Sequence, residues 1–179
     1  MDFITELNKQ NAYGERVGRV QLAVRENYKA MSAKDIYNKA CEINSYTRPT
    51  LSCVIPLHYA LIELINIIYK LRDVADTALD YCLLMCDMDI ALYDDVQKAT
   101  IKESHSSFVF AGSLSRKIII LEKHGEYQEA IRLCDLAISK GYKNAANDEN
   151  SNSFVKQKNR IMNKLAKTPA KDTISKPKQ

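Results

Sequence analysis

Apolar residues return at three- and four-residue intervals along most of this 179-residue chain, the spacing that gathers side chains on one side of an α-helix. From Glu15 to Met31 the stripe is Val17, Val20, Val24, Tyr28 and Met31, which predicts a first helix preceded by an N-terminal arm over 1–14. Ser32 is a good N-cap for a second helix reaching Asn44 and burying Ala33, Ile36, Tyr37 and Ala40. Pro49 and Pro56 interrupt the next stretch, because proline lacks an amide and restrains the residue before it. A third helix follows from near Pro56 to Lys70, almost wholly apolar, and a fourth carries Ala78, Leu79, Cys82, Met85 and Cys86 inward to about Tyr93.

Between Asp94 and Ser107 the pattern fades into a polar segment with at most a short helix around Val96 to Ile101. A fifth main helix is expected from about Phe108 to Lys123 and a sixth from Tyr127 to Lys140, capped by Gly141. A last amphipathic helix over about 151–166 carries Phe154, Ile161 and Leu165. The expected fold is all-α: antiparallel hairpins over about 15–44, 57–93 and 108–141, one closing helix, and a basic disordered tail over 167–179.

Composition is ordinary for a folded domain, with 46% hydrophobic and 27% charged residues. The charge is uneven: residues 156–179 carry +7 of a total of +4, so the preceding 155 residues sum to −3. Five cysteines, Cys41, Cys53, Cys82, Cys86 and Cys134, are odd in number, lie at apolar helical positions and lack the spacing of a disulfide framework or a zinc site. They read as reduced core residues. The start Met1-Asp2-Phe3-Ile4 has no basic-then-apolar signal pattern, and Leu57 to Leu71 is interrupted by His58, Glu63, Asn66 and Lys70 and falls short of a membrane span. A cytoplasmic protein with no membrane contact is expected.

The segment Lys123 to Gly141 resembles the second half of a tetratricopeptide repeat. The resemblance rests on Gly125 and Tyr127 at the turn and on Ala130, Cys134 and Ala137 at a small–large–small spacing of four and three. Small residues there let paired helices approach closely, while the middle residue fills the gap to the next hairpin. The spacing recurs as Ala33, Tyr37 and Ala40, and as Ala78, Cys82 and Met85. Partner-helix stripes are Val17, Val20 and Val24; Ile62, Ile65 and Tyr69; and Leu114, Ile118 and Leu121. The chain departs from the family in having Gln21, Asn66 and Ile118 where a small residue is usual, and in intervals of 45 and 52 residues against about 34. What the resemblance implies is an adaptor or regulatory module, with no enzymatic activity and no cofactor, that holds a protein or peptide in a groove formed by the first helices of the repeats.

Candidate residues follow. Tyr59, Glu63, Asn66 and Arg116 are polar positions on otherwise apolar inner helices and are expected to line the groove. Tyr37 and Tyr69 read as core. Asp73, Asp76 and Asp80 begin a run of acids with no basic residue between Arg72 and Lys98, which reads as an acidic face for a basic peptide or as a solvated surface. The alternative function is nucleic-acid binding through Lys156, Lys158, Arg160, Lys164 and Lys167. Self-association through an incompletely capped array end is a further expectation. His58, His105 and His124 are scattered, without the HExxH spacing of a zinc site, and the sequence contains neither a phosphate-cradling GxxxxGK[ST] nor a GxSxG elbow.

Overall fold

Eight helices follow one another in the computed structural model, which describes residues 3–105, 109–144 and 152–167. They are α1 (Phe3–Asn27), α2 (Ala33–Asn44), α3 (Val54–Lys70), α4 (Ala78–Ile90), α5 (Tyr93–Ser104), α6 (Gly112–His124), α7 (Tyr127–Ser139) and α8 (Asn152–Lys167). Among the described residues the one β-type contact is an isolated parallel bridge between Phe110 and Lys143. The fold is all-α.

Sequential helices pack as antiparallel partners, α1 with α2, α3 with α4 and α6 with α7, while α1 also meets α3, α2 meets α4, and α4 meets α6. Helix α8 packs on α7. The centre of the molecule is α3, which touches α1, α2, α4, α5 and α6. Its Leu57, Ala60, Leu61, Leu64, Ile65 and Ile68 are at most 1% exposed. Leu51–Lys70 is long and apolar enough to cross a membrane on those grounds alone, which corrects the expectation drawn from Leu57 to Leu71. Here the helix is instead the buried core of the stack, and each fully buried aliphatic contributes about 1.5–3 kcal/mol relative to exposure.

Local chemistry sets the helix ends. Ser32 and Asp35 form a reciprocal capping box: Ser32 Oγ accepts from the Asp35 amide at 3.1 Å, and the Ser32 amide donates to Asp35 Oδ2 at 3.0 Å. Gly125 (φ 78°) and Gly141 (φ 67°) terminate α6 and α7 in the left-handed region that a Cβ disfavours. The three small-residue stripes are buried: Ala33, Ala40, Ala78, Cys82, Met85, Ala130, Cys134 and Ala137 are at most 4% exposed. Tyr37 differs, being half-buried and stacked on Tyr81 at 5.0 Å between ring centroids.

Three boundaries depart from the sequence reading. The expected arm over 1–14 is helical from Phe3, one continuous helix through Gly14 and Gly18, anchored by buried Tyr13 and by Gln10 donating to Thr50 Oγ1 at 2.9 Å. Residues 4–9 are exposed, so no apolar stripe announced them. The polar segment after Asp94 is a full helix, α5, docked by Tyr93, Val96 and Ala99. Helix α6 begins at Gly112 because the backbone before it pairs with the chain after α7: the Ala111 amide donates to Lys143 O at 2.7 Å and the Lys143 amide to Val109 O at 3.1 Å. Of the expected hairpin over 108–141, Phe108 lies outside the described residues; of the tail over 167–179, only Lys167 lies within them.

Candidate functional site

Helices α3, α6 and α8 present two adjoining clefts that share part of their lining and together form a trough. The first, about 260 Å³, is lined by Ile62, Asn66, Phe110, Gly112, Ser115, Arg116, Ile119 and Asn144. The second, about 450 Å³, adds Ser153, Lys156, Gln157 and Arg160 and shares Ser115, Ile119 and Asn144 with the first. Apolar Ile62 and Ile119 sit among amides, hydroxyls and cations, the mix that fixes an extended chain by hydrogen bonds over an apolar base. Asn144 Nδ2 donates to Ser115 Oγ at 3.0 Å, tying the loop after α7 to the middle of the trough.

Of the four expected groove residues, Asn66 and Arg116 meet, with Arg116 Nη2 donating to Asn66 Oδ1 at 2.9 Å. Glu63 turns the other way, accepting from Gln21 Nε2 and lying 3.8 Å from Arg25 Nη1, so it joins α1 to α3. Tyr59 is 51% exposed and lines neither cleft. The physical reason is the helical repeat: Tyr59, Glu63 and Asn66 share a broad face of α3, but α1 covers part of it and α6 approaches only the Asn66 end.

Tyr69 departs in part from the core reading: it packs against the core from its edge, is half-buried, and collects cations on its exposed side. Arg116 Cζ lies 3.9 Å, Arg72 Cζ 4.5 Å and Lys123 Nζ 5.6 Å from its ring centroid. Lys123 Nζ also donates to the Tyr69 hydroxyl at 3.1 Å. The sequence signal was present in Arg116 and Lys123, seven residues apart and therefore two turns apart on one side of α6. Their common target, on another helix, was not readable.

Asp73, Asp76 and Asp80 are exposed, as expected of an acidic face, with Asp73 3.2 Å from Arg72 Nη2. Farther along the acidic run, neutralisation sets in. Asp87 pairs with Lys117, Asp94 lies 3.6 Å from Lys140, and Asp89 is fully buried against His58. The basic segment is likewise partly spent within the molecule. Arg160 and Lys164 both bind Glu122, which is 6% exposed, and Lys158 binds Asp135. Burial alone pushes the Glu122 carboxyl up, but Arg160 and Lys164 together outweigh it and hold the carboxyl below its usual range. Lys156 and Lys167 remain exposed.

A buried polar chain lies deeper, and nothing in the spacing of the histidines pointed to it. His58 Nδ1 is 2.8 Å from Asp89 Oδ1, joining α3 to α4. The His58 ring meets Tyr93 edge-on at 5.6 Å, and Tyr93 meets Tyr142 edge-on at 5.2 Å. The Tyr93 hydroxyl accepts from the Leu114 amide at 3.2 Å, and burial foremost raises its pKa well above the usual value. His58 Nε2 and Asp89 Oδ2 have no hydrogen-bond partner among the described residues.

All five cysteines are free, four of them buried and Cys41 half-buried. Cys82 is held below the ordinary thiol range, chiefly by its hydrogen bond with Cys86, while Cys86 is driven well above it by that bond and by burial. Burial pushes Cys134 up to about 11. No cluster of three or more metal-ligating side chains occurs among the described residues. The fold and the trough thus define an all-α helical protein with a mixed polar surface groove; no protein-family model, curated protein or solved structure matches the chain.

Proposed function

We propose that this chain is a non-enzymatic adaptor or regulatory module that binds a protein or peptide in the trough across α3, α6 and α8. The observation that carries the reading is the junction of the two clefts at Ser115, Ile119 and Asn144, with the Asn66–Arg116 pair at its side. Amide side chains facing an apolar strip can bond an extended backbone while leaving room for alternate side chains. The tetratricopeptide-like reading is supported by the order of packing: three helical pairs with buried small residues at their contacts and a single closing helix. Cytoplasmic residence belongs to the same reading, supported by free buried thiols. Nucleic-acid binding through the basic segment ranks behind it, because Lys158, Arg160 and Lys164 are already occupied by carboxylates of α6 and α7.

The test is site-specific photocrosslinking in native lysate, with a benzophenone side chain placed at Ile119 or, as control, at exposed Asp80. A discrete protein captured at position 119 and absent at position 80 is the expected outcome. Capture of nucleic acid, or identical capture at both positions, overturns the reading.

A further inference from the structure

We propose that the Tyr69 cluster, at the α3–α6 end of the trough, is an anchor for a peptide segment carrying two carboxylates two residues apart. This inference rests on the trough as the binding surface and specifies the chemistry of its occupant.

Three cations, Arg72, Arg116 and Lys123, lie within 6 Å of one tyrosine ring centroid. Like charges gathered in this way repel, and folding alone gives no reason to assemble them. A cation over an aromatic face recovers only about 0.5–1 kcal/mol at a site in contact with water. Among the described residues only Arg72 is answered by a carboxylate, that of Asp73, and the same guanidinium is further fixed by donating to Tyr69 O at 3.0 Å. Arg116 has an amide oxygen and a ring as its partners, and Lys123 a phenol hydroxyl. Each of those partners is neutral. They hold the two side chains in place and leave their positive charge unspent.

The remaining donors of Arg116 suit a carboxylate. A guanidinium presents five N–H groups in a planar fork, of which Asn66 takes one direction and the Tyr69 ring supports the flat face. Carboxylates at positions i and i+2 of an extended peptide point to the same side about 6.6 Å apart. They can therefore reach Arg116 and Lys123 together while the backbone between them continues past Asn66 into the cleft with Ile119 and Asn144. Glu63, one turn before Asn66 on α3, is turned away to Gln21 and Arg25 and does not oppose an acidic ligand here.

The experiment measures fluorescence anisotropy of the full chain with three labelled peptides of one neutral background, bearing Glu-Ser-Glu, Gln-Ser-Gln or Lys-Ser-Lys at the centre. A phosphoserine peptide and inorganic phosphate serve as further probes. The Glu peptide is expected to bind about tenfold more tightly than the Gln peptide, with the difference shrinking as salt is raised. The double variant Arg116→Glu/Lys123→Glu, checked for unchanged helix content by circular dichroism, should lose that preference and favour the Lys peptide. If it does not fold, Lys123→Gln alone should still reduce the Glu preference.

Equal binding of the Glu and Gln peptides overturns the anchor while leaving the trough reading intact, and so does binding of the phosphoserine peptide without Glu-over-Gln discrimination. Absence of binding by any peptide also overturns the anchor. The trough reading falls separately, on the crosslinking at position 119.

Discussion

His58 and Asp89 are the most exacting residues in the molecule. Both side chains are at most 1% exposed, and they meet at 2.8 Å across the α3–α4 contact. A buried polar atom stripped of its partner bears its full desolvation penalty, so removing one member is worse than never having had the pair. Asp89→Leu should lower unfolding free energy by about 3 kcal/mol, and the double replacement His58→Leu/Asp89→Leu should be milder than the sum of the two single replacements His58→Leu and Asp89→Leu. Urea titrations of the four proteins measure this; additive losses would show that the two side chains do not act as a unit. Sequence reading could see His58 as a histidine in an apolar helix and Asp89 as one acid in an acidic run. It could not see the pair, because a separation of 31 positions along the chain reveals nothing of how α4 folds back on α3. Arg116 and Asn66 stood out as polar residues on otherwise apolar helices, but their bond to each other was no more visible in the sequence, because it depends on how α6 lies against α3.

At the scale of elements, periodicity was readable wherever a helix buries one face. The stripes of α2, α3, α4, α6 and α7 stand in the sequence at the spacing the structure uses. Helix α1 was legible only from Glu15, because its first two turns bury little, and α5 was read as short because only three of its twelve residues are buried. The glycines sort by the same logic. Gly14 and Gly18 lie inside α1 with nothing within 4 Å of where a Cβ would stand, whereas Gly125 ends α6 at φ 78°. Gly14→Ala should stabilise the protein by about 0.5–1 kcal/mol by restricting the unfolded chain, and Gly125→Ala should destabilise it by about 1 kcal/mol through its strained left-handed backbone. Thermal melts of the two variants should move in opposite directions. A drop in melting temperature for Gly14→Ala would mean that the open face of α1 is occupied in solution.

For the whole molecule, the closing helix α8 joins fold to function, since it forms one wall of the trough and supplies Lys156, Gln157 and Arg160 to it. It is held by buried Phe154 and Ile161 against the stack and by Arg160 and Lys164 on Glu122. Because the Glu122 carboxyl is depressed in the folded state, its ion pairs stabilise the protein fully above the unfolded-state value of about 4.3. That contribution falls away as pH drops from there through the lower folded value, where the carboxylate takes up its proton. Both cations are about half exposed, so the loss from Glu122→Gln at neutral pH should be about 1–2 kcal/mol, below that of a fully buried pair. The difference between wild type and Glu122→Gln should shrink as pH falls below about 4, because the wild-type carboxyl is then neutral as well. Amides of α8 should exchange faster in the variant at neutral pH while those of α3, buried at the centre, keep their protection. If the stability difference stayed constant from neutral pH into acid, shape would be holding α8 in place instead of charge, and the wall of the trough would owe nothing to its basic residues.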